Sequence, residues 1–514
     1  MRSRCLPLWA SLLAFWVSFT PSRAPAADRP VAPAPRAALD LDALLESHWS
    51  EAGVRPAAAA DDATLFRRVM IDLTGRVPTP GEAETFAAER TPKRFSTTVR
   101  RLVAGPEFEW HFATVLDEMI QGRFAGSDAF VGFLRTALRD GKGWDAVFRE
   151  VMLGPWDTDA RKPAIGFLDR RARDIDVLTV DVARAFFGVD VSCARCHDHP
   201  LVRDWKRDHY YGMAAFFART TGGKGGITEK PDGEAKFAGK DGKERVAPMM
   251  FLSGRVVDAP KAAGGGKPPA FNRREALVRV ALEEKTFFAR ALVNRVWEYF
   301  HGCGLVSPVD QMHSANPASI PALLDALADD FASHGYDVRR LVTAVVLSRS
   351  YRLESRWAAG DAPDAGRFAV ARLRPLSPRQ FARSAIVAVG AGTVDVSPAQ
   401  LAALDKRAAE LLPALDPRTA DFQSSTREAL FVSNAEAVRK LIAAGGNNLA
   451  ERLAAEKDEA ALVRAAVAAI YSRPATDSEI ADLTAWLRKQ SDRRAAAEDL
   501  VWALVASAEF RFNH

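Results

Sequence analysis

The sequence predicts a mainly α-helical protein: two helical domains joined by an irregular segment rich in Gly, Lys and Pro, with little β-structure. Three observations carry this. Alanine and arginine, both good helix formers, are abundant through the 514 residues. Apolar residues recur at helical spacing; Leu65, Phe66, Val69, Met70 and Leu73 fall on one face, which Gly75 ends. Over residues 220–271 that texture gives way to Gly, Lys, Asp and Pro, including runs at Gly222–Gly226 and Gly264–Gly266, as it does between domains.

In chain order, residues 1–26 read as a signal peptide. Arg2 and Arg4 supply the positive start, Leu6 to Phe19 the apolar core, and Ala24-Pro25-Ala26 a small-residue cleavage pattern. The apolar run is too short to span a bilayer comfortably, and no later segment is apolar enough, so the mature chain is expected to be exported, periplasmic or extracellular, with no transmembrane segment. Removing Arg2, Arg4 and Arg23 with the leader lowers the formal charge from +5 to +2, and no concentrated basic stripe appears elsewhere. A nucleic-acid partner is not expected. Residues 27–39, rich in Pro and Ala, read as a disordered lead-in.

The first helical domain is expected over residues 40–219. Thr79-Pro80-Gly81-Glu82 starts a helix, with Thr79 as N-cap and Glu82 completing a capping box. Amphipathic stretches follow at Phe95–Val103, Phe108–Ile120 and Ile175–Phe187, and a helix over Trp205–Arg219 carries an aromatic cluster of Tyr210, Tyr211, Phe216 and Phe217. Within the 220–271 segment one apolar island, Met249 to Leu252, has the character of a strand. The second domain, 272–514, restarts at Asn272, with helices expected at Leu323–Phe331, Val338–Leu347, Ser377–Val389, Ala460–Tyr471 and Leu500–Phe510.

The chemistry concentrates in Val191-Ser192-Cys193-Ala194-Arg195-Cys196-His197-Asp198-His199-Pro200. Two cysteines three apart with a histidine next are the attachment signature of a c-type haem. Cys193 and Cys196 would each form a thioether with a haem vinyl group, and His197 would be the proximal iron ligand. His199 is too close to His197 in sequence to reach the opposite face of the ring. Candidates for a sixth ligand are His209 or Met213 on the following helix, or Met249 and Met250 further on. The alternative cofactor is zinc, held by Cys193, Cys196, His199 and His209. A third arrangement closes Cys193 and Cys196 as a disulfide and leaves His197, Asp198 and His199 as a metal or acid–base site. A thioredoxin-type dithiol lacks its strand–helix–strand context here. Cys303, the remaining cysteine of the mature chain, reads as a small buried hydrophobe.

This motif, with Trp205, Tyr210-Tyr211-Gly212 and Phe216-Phe217, resembles the planctomycete cytochrome-like domain of unknown function (PSCyt-type). Upstream, Leu65-Phe66-Arg67-Arg68 through Asp72-Leu73-Thr74-Gly75 and Pro78-Thr79-Pro80 match its opening. The second half resembles the planctomycete-specific C-terminal domain (PSD-type) in Asn294-Arg295-Val296-Trp297, Gly304-Leu305-Val306, Pro308-Val309-Asp310, Asn316-Pro317, Leu323-Leu324-Asp325, Ser350-Tyr351-Arg352 and Arg374-Pro375-Leu376-Ser377-Pro378. The resemblance implies exported proteins with a haem-type motif and no settled reaction. Larger relatives often carry a further cytochrome-c-type domain in front, for which this chain has no room. Cys303 stands where relatives usually have arginine between the two glycines.

The expected function is therefore that of an exported protein with covalent haem c at Cys193, Cys196 and His197, taking part in electron transfer with a redox or surface protein partner. The second domain would be a helical module that docks a partner. Rival readings are a haem-free binding or scaffolding protein whose motif holds zinc or a disulfide, and an extracytoplasmic metal-dependent enzyme. No complete catalytic constellation accompanies the last: Asp310 and His313 could pair as acid and base, but without a nucleophile. A buried Arg–Asp pair tying loop to helix is the simpler expectation for Arg295 and Asp310.

Overall fold

Helix ends are where local sequence speaks most directly, and in the computed structural model they fall where the capping residues stand. Asp61 accepts from the Thr64 N–H at 2.9 Å to start the helix Asp62–Thr74, and Gly75 ends it in the left-handed region at φ 75°. Thr79 and Glu82 form the expected reciprocal capping box at the head of Pro80–Ala88. Asn272 caps Arg273–Glu284, where the second half was expected to restart. The structure describes residues 36–155, 162–223, 226–239, 242–259, 271–357, 360–411 and 436–514. The expected signal peptide lies outside these residues, as does most of the lead-in. Helices dominate, and the strands of the described residues form four two-stranded antiparallel ladders, so the fold is mainly α.

Three of those ladders lie in the segment expected to be irregular. Thr220–Gly223 pairs with Gly226–Glu229, Lys236–Ala238 with Glu244–Val246, and Met249–Met250 with Val256–Val257. The apolar island at Met249 is thus one strand among six. The other five were hidden because their short, polar, Gly-flanked sequences carry no alternation long enough to read. The helix after the motif is Arg207–Phe217, and within it Tyr210, Phe216 and Phe217 are fully buried. They belong to the core.

Residues 35–514 make one compact unit. Its larger apolar core draws side chains from Leu41 through to Ala369, so helices before and after the three ladders share one interior. A second core joins the helices Pro378–Val389, Glu459–Tyr471 and Arg493–Ala506 with Ile71 and Val77 from the N-terminal region. Between the two cores sits a buried polar hub. Asp72, with no exposed surface, accepts from Arg374 at 2.6 and 3.0 Å, from the Tyr351 hydroxyl at 2.8 Å and from Asn513 Nδ2 at 2.8 Å. Arg67 donates to the carbonyls of Ile470 and Phe510, and Arg68 to those of Tyr351, Leu353 and His514. Each buried charge therefore has oxygen partners, as burial requires.

Candidate functional site around the cysteine motif

The motif enters from the helix Ile175–Phe187, which Gly188 ends at φ 66°. Asp190 then prepares the turn. Its carboxylate accepts the Ser192 N–H at 2.9 Å and pairs with Arg184 at 2.6 Å. Ser192–Arg195 forms one 3-10 turn whose Ala194 is buried, while Cys193, Arg195 and Cys196 on either side of it face outward. Arg195 is held by Asp176 at 2.6 Å, and the other oxygen of Asp176 takes a very short hydrogen bond from the buried Tyr210 hydroxyl. Burial, and then that bond, pushes the Tyr210 hydroxyl far above its ordinary value. The turn is thus clamped at both ends while both thiols, which are free, stay exposed.

The three histidines that follow differ in the ring nitrogen left available. His197 Nδ1 lies 2.8 Å from the Asp198 carbonyl oxygen. A carbonyl only accepts, so Nδ1 carries the proton and the Nε2 lone pair is free. His199 is the reverse: its Nδ1 accepts the N–H groups of Val202 at 3.1 Å and Leu201 at 3.3 Å. His209 Nδ1 likewise accepts the Lys206 N–H at 3.2 Å. In both neutral rings the proton is therefore on Nε2, leaving no lone pair for a metal. Burial, then the Lys206 charge, lowers the His209 imidazole below its usual value.

His199 serves as the centre of a turn. Its N–H reaches the Trp205 carbonyl at 2.8 Å, and the Asp198 carboxylate accepts the Arg207 N–H at 3.1 Å, closing the loop onto the next helix. Of the other sixth-ligand candidates, Met213 has no exposed surface and Met249 is 6% exposed, both within the core. Met250 packs over Gly212. Among the described residues no group of three or more His, Cys, Asp or Glu side chains is gathered as a metal ion would need, and this includes Cys193, Cys196, His199 and His209. Leu201, 84% exposed, projects from the same loop.

The loop is tied to the second half. Asp204 accepts from the Ser314 N–H and hydroxyl, both at 2.6 Å. Burial alone would raise the Asp204 carboxyl, but these bonds and the nearby His313 and His209 outweigh it and hold it below the usual range. A cleft of about 340 Å³ opens here, lined by Asp204, Trp205, Phe287, His313 and Asn316 among others. A wider groove of about 920 Å³ lies between residues 53–59 and 349–363. Neither is lined by Cys193, Cys196 or His197.

The Asn294-Arg295 region departs from the expected Arg–Asp tie. Asn294 ties helix to loop instead, donating to the Val306 carbonyl at 2.8 Å and accepting its N–H at 2.9 Å, while Arg295 donates to the Arg184 carbonyl at 2.7 Å. His313 feels Asp204 and His199 rather than Asp310. The supporting residues Asp176 and Asp190 escaped the sequence reading, and Tyr210 was read as an aromatic without its hydroxyl's role. The one legible signal was Arg195, a long cation between the two cysteines that needs a carboxylate to hold it.

Two family models match the chain. Residues 40–222 match PSCyt2, a protein of unknown function (DUF1549), and residues 273–406 match PSD1, a protein of unknown function (DUF1553). The chain is a PSCyt2–PSD1 fusion. No curated protein and no solved structure matches it. Within the fusion, residues of both matched regions meet at the interior hub: Arg68 and Asp72 from the PSCyt2 part, Tyr351 and Arg374 from the PSD1 part. These signature residues hold the halves together. The cysteine motif, exposed and clamped from beneath, lies apart from them.

Proposed function

We propose that the PSCyt2–PSD1 fusion is an exported c-type haem protein that takes part in electron transfer with a redox or surface protein partner. The observation that carries the reading is the division of labour among the motif histidines. His197 alone presents an unprotonated Nε2, its Nδ1–H being held by a backbone carbonyl, which is the tautomer and orientation a proximal iron ligand requires. Cys193 and Cys196 stand exposed on one turn, open to thioether formation. Haem held there would supply one-electron redox chemistry.

The chain's own residues do the rest. Asp190 and the Arg195–Asp176–Tyr210 clamp hold the turn so that the two thiols and the imidazole are presented together. Leu201, on the same loop, exposes an apolar side chain that a bound group or partner could cover. Zinc is less well served, because His199 and His209 spend Nδ1 on backbone N–H groups. The leader sequence supports export, the setting in which such attachment takes place.

The test is the absorption spectrum of protein exported from a host with haem-attachment machinery, reduced with dithionite in alkaline pyridine. A sharp α-band that survives acid–acetone extraction, and is lost in Cys193→Ser with Cys196→Ser, is expected. No band under conditions that load a control cytochrome would remove the haem reading. Metal analysis and thiol titration would then decide between zinc and a disulfide.

A further inference from the structure

A cleft of about 220 Å³ lies between the helices Pro106–Gln121, Ile175–Phe187 and Thr286–His301. Four guanidinium groups line it, those of Arg123, Arg171, Arg184 and Arg295, against two carboxylates, Asp181 and Asp310. Asp181 is taken up by Arg171 at 2.8 Å and by Arg123 at 3.5 Å. Asp310 reaches Arg184 at 3.8 Å, but that guanidinium already spends its Nη2 on Asp190 at 2.6 Å. Arg295 makes no salt bridge among the described residues. Its Nη2 donates to a backbone carbonyl, and its Nε is buried without a hydrogen bond, while Arg184 Nε has only the distant Asp310 carboxylate.

Compensation is uneven: burial would lower the Arg184 guanidinium, but Asp190, Asp310 and Asp181 outweigh it, whereas Arg295 is left short. Burial pushes the Arg171 guanidinium down to about 10, and it lowers that of Arg295 as well, more than the neighbouring carboxylates can restore. Glu298 also neighbours Arg295, and burial raises its carboxyl by more than Arg295 lowers it. A buried cation short of partners is costly unless an anion completes it. The Arg171 donors are spent on Asp181, Gln121 and the Phe167 carbonyl. That leaves Arg123, Arg184 and Arg295, from a 3-10 turn and two helices, as the guanidinium groups that suit an oxyanion whose several oxygens each accept.

We propose that this cleft binds a small oxyanion of the size and charge of phosphate or sulfate. Neither PSCyt2 nor PSD1 carries such an assignment in its description. The site would reach the cysteine turn through Arg184, which shares Asp190 with the Ser192 N–H.

Calorimetric titration of the full chain with inorganic phosphate, and separately with sulfate, against chloride at matched ionic strength tests this. Saturable binding by either anion is expected. Arg123→Gln, whose side chain is 57% exposed and so dispensable for folding, should weaken it about fivefold, as loss of one charge-assisted contact does. Asp310→Asn removes a lining carboxylate and should tighten it by about the same factor. No heat beyond the chloride control at roughly 10 mM anion overturns the proposal. Binding that both substitutions leave unchanged overturns it equally, because the anion then sits elsewhere.

Discussion

Gly212 has no room for a side chain. A Cβ there would stand 2.6 Å from the Met250 Cβ and 3.1 Å from its carbonyl oxygen, so helix Arg207–Phe217 and strand Met249–Met250 touch backbone to side chain at this point. Gly212→Ala should therefore cost about 1–3 kcal/mol, the range of overpacking in a filled core. Gly81, in the first turn of its helix, has nothing within 4 Å of the same position, and Gly81→Ala should be neutral or slightly stabilising. Parallel urea titrations check both, and equal losses would refute the argument from space. The Tyr-Tyr-Gly string was legible in the sequence, but the reason for its glycine was not, because Met250 lies thirty-eight residues away. The histidines teach the same lesson. Four letters, His-Asp-His-Pro, do not distinguish a free Nε2 from a free Nδ1; the carbonyl of Asp198 and the N–H groups of Leu201 and Val202 do.

At the scale of elements, helix ends are anchored by charge as well as by caps. The helix Asp477–Leu487 begins with a Thr476–Glu479 capping box, and the same Glu479 carboxylate pairs with Arg473 at 2.7 Å. Arg473 in turn binds Glu509 at 2.6 Å, joining this helix to the C-terminal turn. The Arg473 hydrogen bonds, against burial that works the other way, lower the Glu479 carboxyl from the usual 4.5 to about 2. A depressed carboxyl stabilises the fold above its unfolded value, and that contribution is lost as pH falls from 4.5 through about 2. Glu479→Gln should thus lower the melting temperature at neutral pH and narrow its distance from wild type between pH 4.5 and 2. A gap that stays constant across that window would show that the ion pair contributes nothing. The box itself reads from the sequence, while its arginine partner belongs to the turn before it and the second glutamate to the chain's end.

At the scale of the whole molecule, the residues on either side of the three ladders do not keep separate interiors. The larger core spans Leu41 to Ala369, and Ile71 and Val77 belong to the core of the C-terminal helices. Asp72 stands where they meet, bonded to Arg374, Tyr351 and Asn513. Asp72→Ala leaves the Arg374 charge buried without its carboxylate, at a cost of about 3–5 kcal/mol. Since the hub touches every part, scanning calorimetry of residues 27–514 should show one main transition in the wild type, shifted as a whole in the variant. Two resolved transitions, with only one displaced, would mean that the halves unfold independently.

The sequence by itself determined the helical class, the bounds of amphipathic helices such as Ile175–Phe187 and Val338–Leu347, the Thr79–Glu82 capping box, the family and the cysteine motif. All of these are written in residues near one another in the chain, where spacing and caps suffice. Tertiary structure decided the rest: that residues 220–257 pair as hairpins, that Tyr210, Phe216 and Met213 are core, that Asn294 rather than an Arg–Asp pair ties its loop, and which histidine keeps a free Nε2. It also decided that four arginines from three parts of the chain face one cleft. Some depend on partners distant in sequence, and the hairpins and the histidine rings, whose partners are near, depend on a backbone path that no residue pattern marks. Burial and hydrogen-bond direction belong to the packed chain, and no local pattern encodes them.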